Sequence, residues 1–234
     1  MSGIVFDSGP LITLTMNNLL WLVKPLKRRF NGSFFIPESV KAELVDNPLR
    51  TKRFKFEALQ VLRYIDNGTL TVLDDDKFKE LTLRILSLAN NCFSAKETNI
   101  TIMHYAEAAS IAAAKTMSAD AIALDERVTR ELIENPDRIA KIMEHKLHTK
   151  ISINQQIIRE IKKELGGMKV IRSVEMVARA FELKLLDRYA IGKQIPEIKR
   201  TLLDSVLWGA KIDGCAVSEK ELRQLMKIEG FRPF

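Results

Sequence analysis

The stretch Asp120 to Arg130, DAIALDERVTR, constrains the fold more than any other part of the chain. Ala121 to Leu124 is a short apolar run with the pattern of a buried strand. Asp125 and Glu126 follow at once, and Val128, Leu132 and Ile133 then fall at helical spacing. The unit is strand, acidic turn, helix. In an open α/β sheet the ligand crevice lies outside the carboxyl ends of the strands, which is where Asp125 falls. A carboxylate there either caps the helix or binds a metal or substrate. The choice depends on whether other acids join it.

The same unit opens the chain. Ile4 to Phe6 is apolar and ends in Asp7; Ser8, Gly9 and Pro10 then break the strand and start a helix expected to run through Leu11, Leu14, Leu22 and Leu26 to Phe30. Phe34 to Ile36 is a second strand, and Pro37 opens a helix that holds Glu43 and ends at Asn47-Pro48. A helix from Phe54 to Ile65 stops at Asn67-Gly68. Leu70 to Leu73 is a third strand, followed by Asp74, Asp75 and Asp76 and a helix from Lys77 to Ala89. Those three acids fit a metal site or an acidic first turn favoured by the helix dipole. Asn90 to Asn99 is polar and reads as loop. The spacing predicts a helix over Ile102 to Met117, whose Met103, Ala106, Ala109, Ala113 and Met117 form a small-residue face with Glu107 beside it.

Beyond Asn135-Pro136 come a basic helix over Arg138 to Leu147 and a helix Gln155 to Leu165 stopped by Gly166-Gly167. A last strand over Met168 to Ile171, a helix Val174 to Leu186 capped by Ser173, and helices over Pro196 to Ala210 and Ser218 to Glu229 complete the chain. Strands that alternate with helices argue a mainly parallel sheet. The basic helix carries an apolar stripe of Ile139, Ile142, Met143 and Leu147. A stripe on an inserted helix needs burial, either against the chain's own C-terminal helices or against a second subunit.

Composition narrows the function classes. The chain has 234 residues, 46% hydrophobic and 29% charged, enough for a folded core. No apolar run reaches the roughly 18 residues of a membrane span. The opening MSGIVFDSGP lacks the basic region of a signal peptide. Cys92 and Cys215 stand too far apart to suggest a zinc site and are too few for a disulfide scaffold, which fits a reducing, cytoplasmic setting. A net charge of +7 and a pI near 9.4 suit a polyanionic partner such as nucleic acid, or simply a mildly basic protein. No GxxxxGK[ST] loop is present, which argues against a nucleotide-phosphate loop.

Four carboxylates stand out: Asp7, Glu43, Glu107 and Asp125. Two lie at strand ends and two on helices that can fold over the same edge. In one pocket they cannot all stay ionised without positive charge. Mg²⁺ or Mn²⁺ resolves this, since both prefer carboxylate and water oxygens and can support in-line phosphoryl displacement.

These residues resemble the PIN domain family of metal-dependent ribonucleases. IVFDSGPLITL is similar to the family's opening, with Asp7 as the first acid and Ser8 after it. IPESVKAEL resembles the second motif, with Glu43 as its acid. HYAEAASIAAAK is similar to the GEAEAIALA motif of an archaeal and bacterial subgroup, with Glu107 as its first acid. AIALDERVTR resembles LLLDDRxAR, with Asp125 as the fourth acid, Glu126 as an accessory and Arg130 as the basic partner. MKVIRSVEMVARAFELKLL resembles the closing strand and helix. Two positions depart: Ala106 replaces the glycine before the third acid, and Ala109 replaces that motif's second acid.

The resemblance implies a three-layer α/β/α sandwich with a central parallel sheet, plus inserted and C-terminal helices. Residues 1–186 would form the nuclease domain, with a helical insertion over about 134–165 and an extension over 187–234. It implies an endoribonuclease that hydrolyses RNA phosphodiester bonds through a divalent cation on Asp7, Asp125 and Glu107, with Glu43 completing or orienting the site. Ser8, Glu126, Arg127 and Arg130 would be accessory or phosphate-binding. Arg127 and Arg130 could equally pair with acids on their own helix, Arg127 with Glu131 and Arg130 with Glu126 or Glu134. The family's strand order puts the third strand at the sheet edge, so Asp74 to Asp76 would lie roughly 10 Å from Asp7 and outside the site. RNA is the expected partner, with a second copy or an antitoxin-like protein as further candidates. The competing expectation is a non-catalytic PIN-fold scaffold for RNA or protein. A phospho-receiver ranks lower, because Asp7 has no acidic neighbour.

Overall fold

The computed structural model describes residues 2–191 and 195–232. Five parallel strands form the central sheet in the order β3-β2-β1-β6-β8. They are β1 (Gly3–Phe6), β2 (Ser33–Pro37), β3 (Thr71–Leu73), β6 (Ala121–Ala123) and β8 (Val170–Ile171). All five expected strands are present, each within a residue or two of its expected bounds. A second, three-stranded antiparallel sheet joins β4 (Phe93–Ala95), β5 (Thr98–Asn99) and β7 (Ser152–Ile153) in the order β5-β4-β7. The expected loop over Asn90 to Asn99 is thus a hairpin. Lys96 and Glu97 turn it in the left-handed region, at φ 47° and 66°. Neither residue is a usual turn former, so the local sequence hides the hairpin.

Period-two alternation divides the core between the sheet's two faces. Val5, Phe35, Ile122 and Leu124 point to one side. There they meet α6 (Lys79–Asn91), α7 (Tyr105–Thr116), α8 (Arg127–Glu134), α9 (Ile139–Leu147) and α10 (Gln155–Leu165). Ile4, Phe6, Phe34, Ile36, Ala121 and Ala123 point to the other. They meet α1 (Ser8–Met16), α2 (Val23–Phe30), α5 (Lys55–Asp66) and α11 (Ser173–Glu182). This is the expected three-layer sandwich. α12 (Ile198–Ile212) and α13 (Glu219–Ile228) add a third apolar cluster, in which Leu203, Leu207, Leu222 and Met226 pack with Val174 of α11.

Several elements differ from their expected extents. The first helix breaks after Met16: Asn18 is left-handed at φ 56°, and a single tight turn over Leu20–Leu22 leads into α2. The Pro37 helix does not end at Asn47-Pro48. It runs as α3 (Glu38–Lys41), a π-turn over Ala42–Asp46 and α4 (Asn47–Arg50), the π-turn widening the helix just before Pro48. α7 starts at Tyr105 rather than Ile102, because the Glu107 side chain accepts the His104 N–H and caps the helix there.

The stripe on α9 is covered mainly by the chain's own core. Ile139 and Met143 are buried beside Ile158, Ile161 and Ala112, not against the C-terminal helices, while Leu147 remains exposed. The burial that had suggested a second subunit is thus largely supplied within the chain.

The alanine face explains how α7 approaches the sheet so closely: Ala108, Ala109, Ala112 and Ala113 are fully buried. No side chain larger than a methyl fits there. Ala109→Leu should cost about 1–3 kcal/mol through overpacking, read as a lower urea midpoint at unchanged m-value.

Candidate active site

Asp7 leaves the end of β1, its N–H donating to the Ala123 carbonyl at 3.0 Å, so the acid sits at the lip of the sheet beside β6. Its Oδ2 accepts the Gly9 N–H at 3.2 Å and so caps α1, while Oδ1 is buried without a hydrogen-bond partner. Burial pushes the carboxyl from 3.8 up to about 7. The Gly9 N–H opposes the rise; the Glu107 charge, and then Glu43, add to it. Two of the other three expected acids therefore act on Asp7.

Glu107 is held from two sides. Oε2 accepts the His104 N–H at 2.7 Å, and Oε1 accepts the Thr129 hydroxyl at 3.0 Å. Its pKa is raised, first by burial, against those two hydrogen bonds, with the Glu126 charge adding. Glu43 lies on the π-turn and is exposed, in a groove shared with Ile12, Met16, Pro48 and Phe54.

Asp125, one residue beyond Leu124, is 2% exposed. Its Oδ2 accepts the Thr13 hydroxyl from α1 and its Oδ1 the Ser173 N–H that begins α11, both at 2.7 Å. Its carbonyl accepts the Ala216 N–H at 3.0 Å. Gly9 makes the close approach to Asp7 possible: a Cβ at position 9 would lie 3.2 Å from the Asp125 Cβ and 3.6 Å from Asp7 Oδ2.

The accessory residues divide. Glu126 caps α8 by accepting the Thr129 N–H at 2.6 Å, so Thr129 joins Glu126 to Glu107. Ser8 begins α1, and a backbone hydrogen bond from it lowers the Asp7 pKa. Arg130 pairs with Glu134 at 3.5 Å, one of the two pairings its helix offered. Arg127 does not pair with Glu131; Arg138 does, at 3.7 Å. Asp74 to Asp76 stand at the edge strand: Asp74 accepts the Asp76 N–H, and Asp75 accepts the N–H groups of Glu38 and Ser39. Asp74 and Asp75 thus cap helix starts and Asp76 pairs with Lys79 at 3.1 Å, with β2 between their strand and β1. Thr13 and Thr129 carry no sequence signal beyond a hydroxyl amino acid within a helix that flanks the acids, and Ser173, expected as a helix cap, instead opens α11 as its first residue and gives its N–H to Asp125.

Among the described residues, no group of three or more His, Cys, Asp or Glu side chains is placed to hold a metal ion. The donor set still fits a hard cation. Asp7 offers a buried, unpartnered oxygen beside a second acid, and Mg²⁺ commonly takes one or two carboxylates and keeps its waters.

A family model described as a PIN domain matches residues 3–137, more than half of the chain. The protein belongs to the PIN domain family and has its nuclease-type fold. No curated protein and no solved structure matches the chain. Among the described residues no helix is long and apolar enough to cross a membrane.

The raised Asp7 pKa links the site to stability. The folded state holds this proton more tightly than the unfolded chain, so the full stability is present below about pH 4 and falls as pH rises to about 7. The loss is at most about 4 kcal/mol. Metal-free protein should therefore melt at higher temperature at pH 5 than at pH 8. Asp7→Asn should flatten that difference; a variant that kept the wild-type slope would refute the assignment. Asp125→Ala should behave in the opposite sense. Loss of two hydrogen bonds to a buried carboxylate should destabilise by about 2–5 kcal/mol at neutral pH, measured by urea unfolding.

Proposed function

We propose that the protein is a Mg²⁺- or Mn²⁺-dependent endoribonuclease. The observation that carries this is the Asp7 carboxylate, buried at the end of a central strand with one oxygen free and two other acids acting on it. Asp7 and Glu107 would hold the cation. Asp125 would reach it through the lone pairs left by its two hydrogen bonds, and Glu43 would orient its waters from the π-turn. When bound, the cation supplies a Lewis acid for the phosphodiester and activates water. The chain's own residues set the stage. Thr129 and the His104 N–H fix Glu107, Thr13 and the Ser173 N–H fix Asp125, and Gly9 lets α1 begin against both acids. The expected roles of Ser8, Glu126, Arg127 and Arg130 belong to this reading. Ser8 supports it through its backbone N–H toward Asp7 and Glu126 as the cap of α8, the arginines as cations beside the acidic turn. The cytoplasm, RNA as substrate and an antitoxin-like partner are parts of the same proposal.

We also propose that the nuclease unit runs to residue 186, with 134–165 inserted and 187–234 as an extension. β8 and α11 complete the sheet and its second face, which supports that boundary. Of the extension, residues 192–194 and 233–234 lie outside the described residues.

One observation favours the competing scaffold reading: both Asp125 oxygens already accept hydrogen bonds within the chain. Cleavage of unstructured and structured RNA, with Mn²⁺, with Mg²⁺ and with chelator, separates the two. A nuclease should cleave with metal, stop with chelator and lose at least about a hundredfold in rate in Asp7→Asn, as expected for loss of a group that stabilises transition-state charge. Metal-independent RNA binding without cleavage by the wild type would leave the scaffold.

A further inference from the structure

A basic cavity of about 570 Å³ lies between α8 and the C-terminal helices. Arg127 and Arg130 of α8, Arg138, Lys211 of α12 and Lys220 of α13 bring five cations to its wall. Its two lining acids are both paired: Glu131 with Arg138 of the same wall at 3.7 Å, and Glu221 with the buried Arg172, outside the lining, at 2.7 Å. Hydrogen bonds from Ser218, and then Arg172, hold the Glu221 carboxyl down to about 2 against its partial burial. Among the described residues, Arg127, Lys211 and Lys220 have no carboxylate within ion-pair distance; Lys211 instead donates to the Val217 carbonyl at 2.8 Å. The Arg130 Nε is buried with no hydrogen-bond partner, a costly state for a donor. Arg130 also pairs with Glu134 at 3.5 Å, which leaves Arg127, Lys211 and Lys220 as the cations without a carboxylate. Concentrated positive charge of this kind matches a phosphate oxyanion, which arginine grips through paired N–H groups.

The position gives the cavity its use. α8 starts at Arg127, directly after Glu126; its Thr129 holds Glu107 on one flank, while Arg127, Arg130 and Glu131 face the cavity on another. A strand with its scissile phosphate at the acids can place a neighbouring phosphate across the first turns of α8. The cations of the opposite wall are Lys211 and Lys220, which lie far beyond the residues of the family match.

We propose that this cavity binds a backbone phosphate of the substrate strand, which makes the C-terminal helices part of the nucleic-acid interface. The proposal rests on the nuclease reading for its substrate but not for its test, which needs no cleavage. The affinity of full-length protein for a short fluorescein-labelled single-stranded RNA is measured by anisotropy in chelator, across a salt series. Arg127 and Lys220 are exposed, so Arg127→Gln with Lys220→Gln should leave the melting temperature unchanged. That double variant should weaken binding on the order of tenfold and lower the slope of log K against log salt by about 0.7, the value for one lost phosphate contact. The control removes equal charge from α2, through Lys24→Gln with Arg28→Gln, both exposed and away from the cavity. It should change the slope by less than half as much. Equal effects of the two double variants would overturn the proposal, as would an unchanged slope in the first, whether or not the protein cleaves RNA. Inorganic phosphate should compete only weakly. If it, or a polyglutamate peptide, displaced RNA from wild type and failed to do so in the cavity variant at matched occupancy, the cavity would be a site for free anions or acidic protein. That result would likewise overturn the assignment to a strand.

Discussion

The Asp125 carboxylate is the joint on which the rest of this structure depends. It leaves the end of β6 and accepts from α1 through Thr13 and from the first turn of α11 through Ser173, while its carbonyl takes the Ala216 N–H from the segment before α13. A buried carboxylate is costly unless hydrogen-bonded, and each such bond to a charged group contributes roughly 1.5–3 kcal/mol. One residue thus holds a central strand, two helices of the second face and, through its backbone carbonyl, the C-terminal extension together. At the other end of the same strand Asp120 accepts the Gly3 N–H and the Ser2 hydroxyl, both at 2.7 Å, and ties the start of β1 to β6. The two aspartates bracket the strand pair from which the acids project.

Asp7 is the converse case. It stands beside Asp125 but is left with an oxygen that nothing in the chain satisfies, and its neighbours are acids. The fold spends stability at this point, since Gly9 supplies only one N–H to offset burial. Strain of this kind at the carboxyl end of a parallel sheet marks a place where a ligand completes the electrostatics. The two aspartates share a sheet edge yet divide the labour: one is anchored by donors, the other stays available.

Helix caps do much of the remaining positioning. Glu107 caps α7, Glu126 caps α8 and Asp7 caps α1, so three acids near the site also serve as local structure. The two uses are compatible. A capping carboxylate gives one oxygen to backbone N–H groups and keeps lone pairs for other partners. Caps at three helix ends fix the acids without any donor from a distant loop.

Much of this was legible in the sequence because it depends on local patterns. Short apolar runs marked every strand of the main sheet, and those of β1, β3 and β6 end directly in an acid. Their alternation with helices implied parallel order, and Asp7 and Asp125 were marked by standing directly after two of those runs. The Gly166-Gly167 stop was equally plain, since the backbone freedom of glycine acts within a few residues. What tertiary structure alone decided involves partners far apart in the chain. The 93–99 hairpin exists because Ser152–Ile153 pairs with it. Ile139 and Met143 of the α9 stripe lie in the core cluster that residues of α7 and α10 also enter. Asp125 is anchored and Asp7 left free because of Thr13 and Ser173, residues 112 and 48 positions from Asp125. A sequence shows which side chains carry charge; only packing decides which of them find a donor.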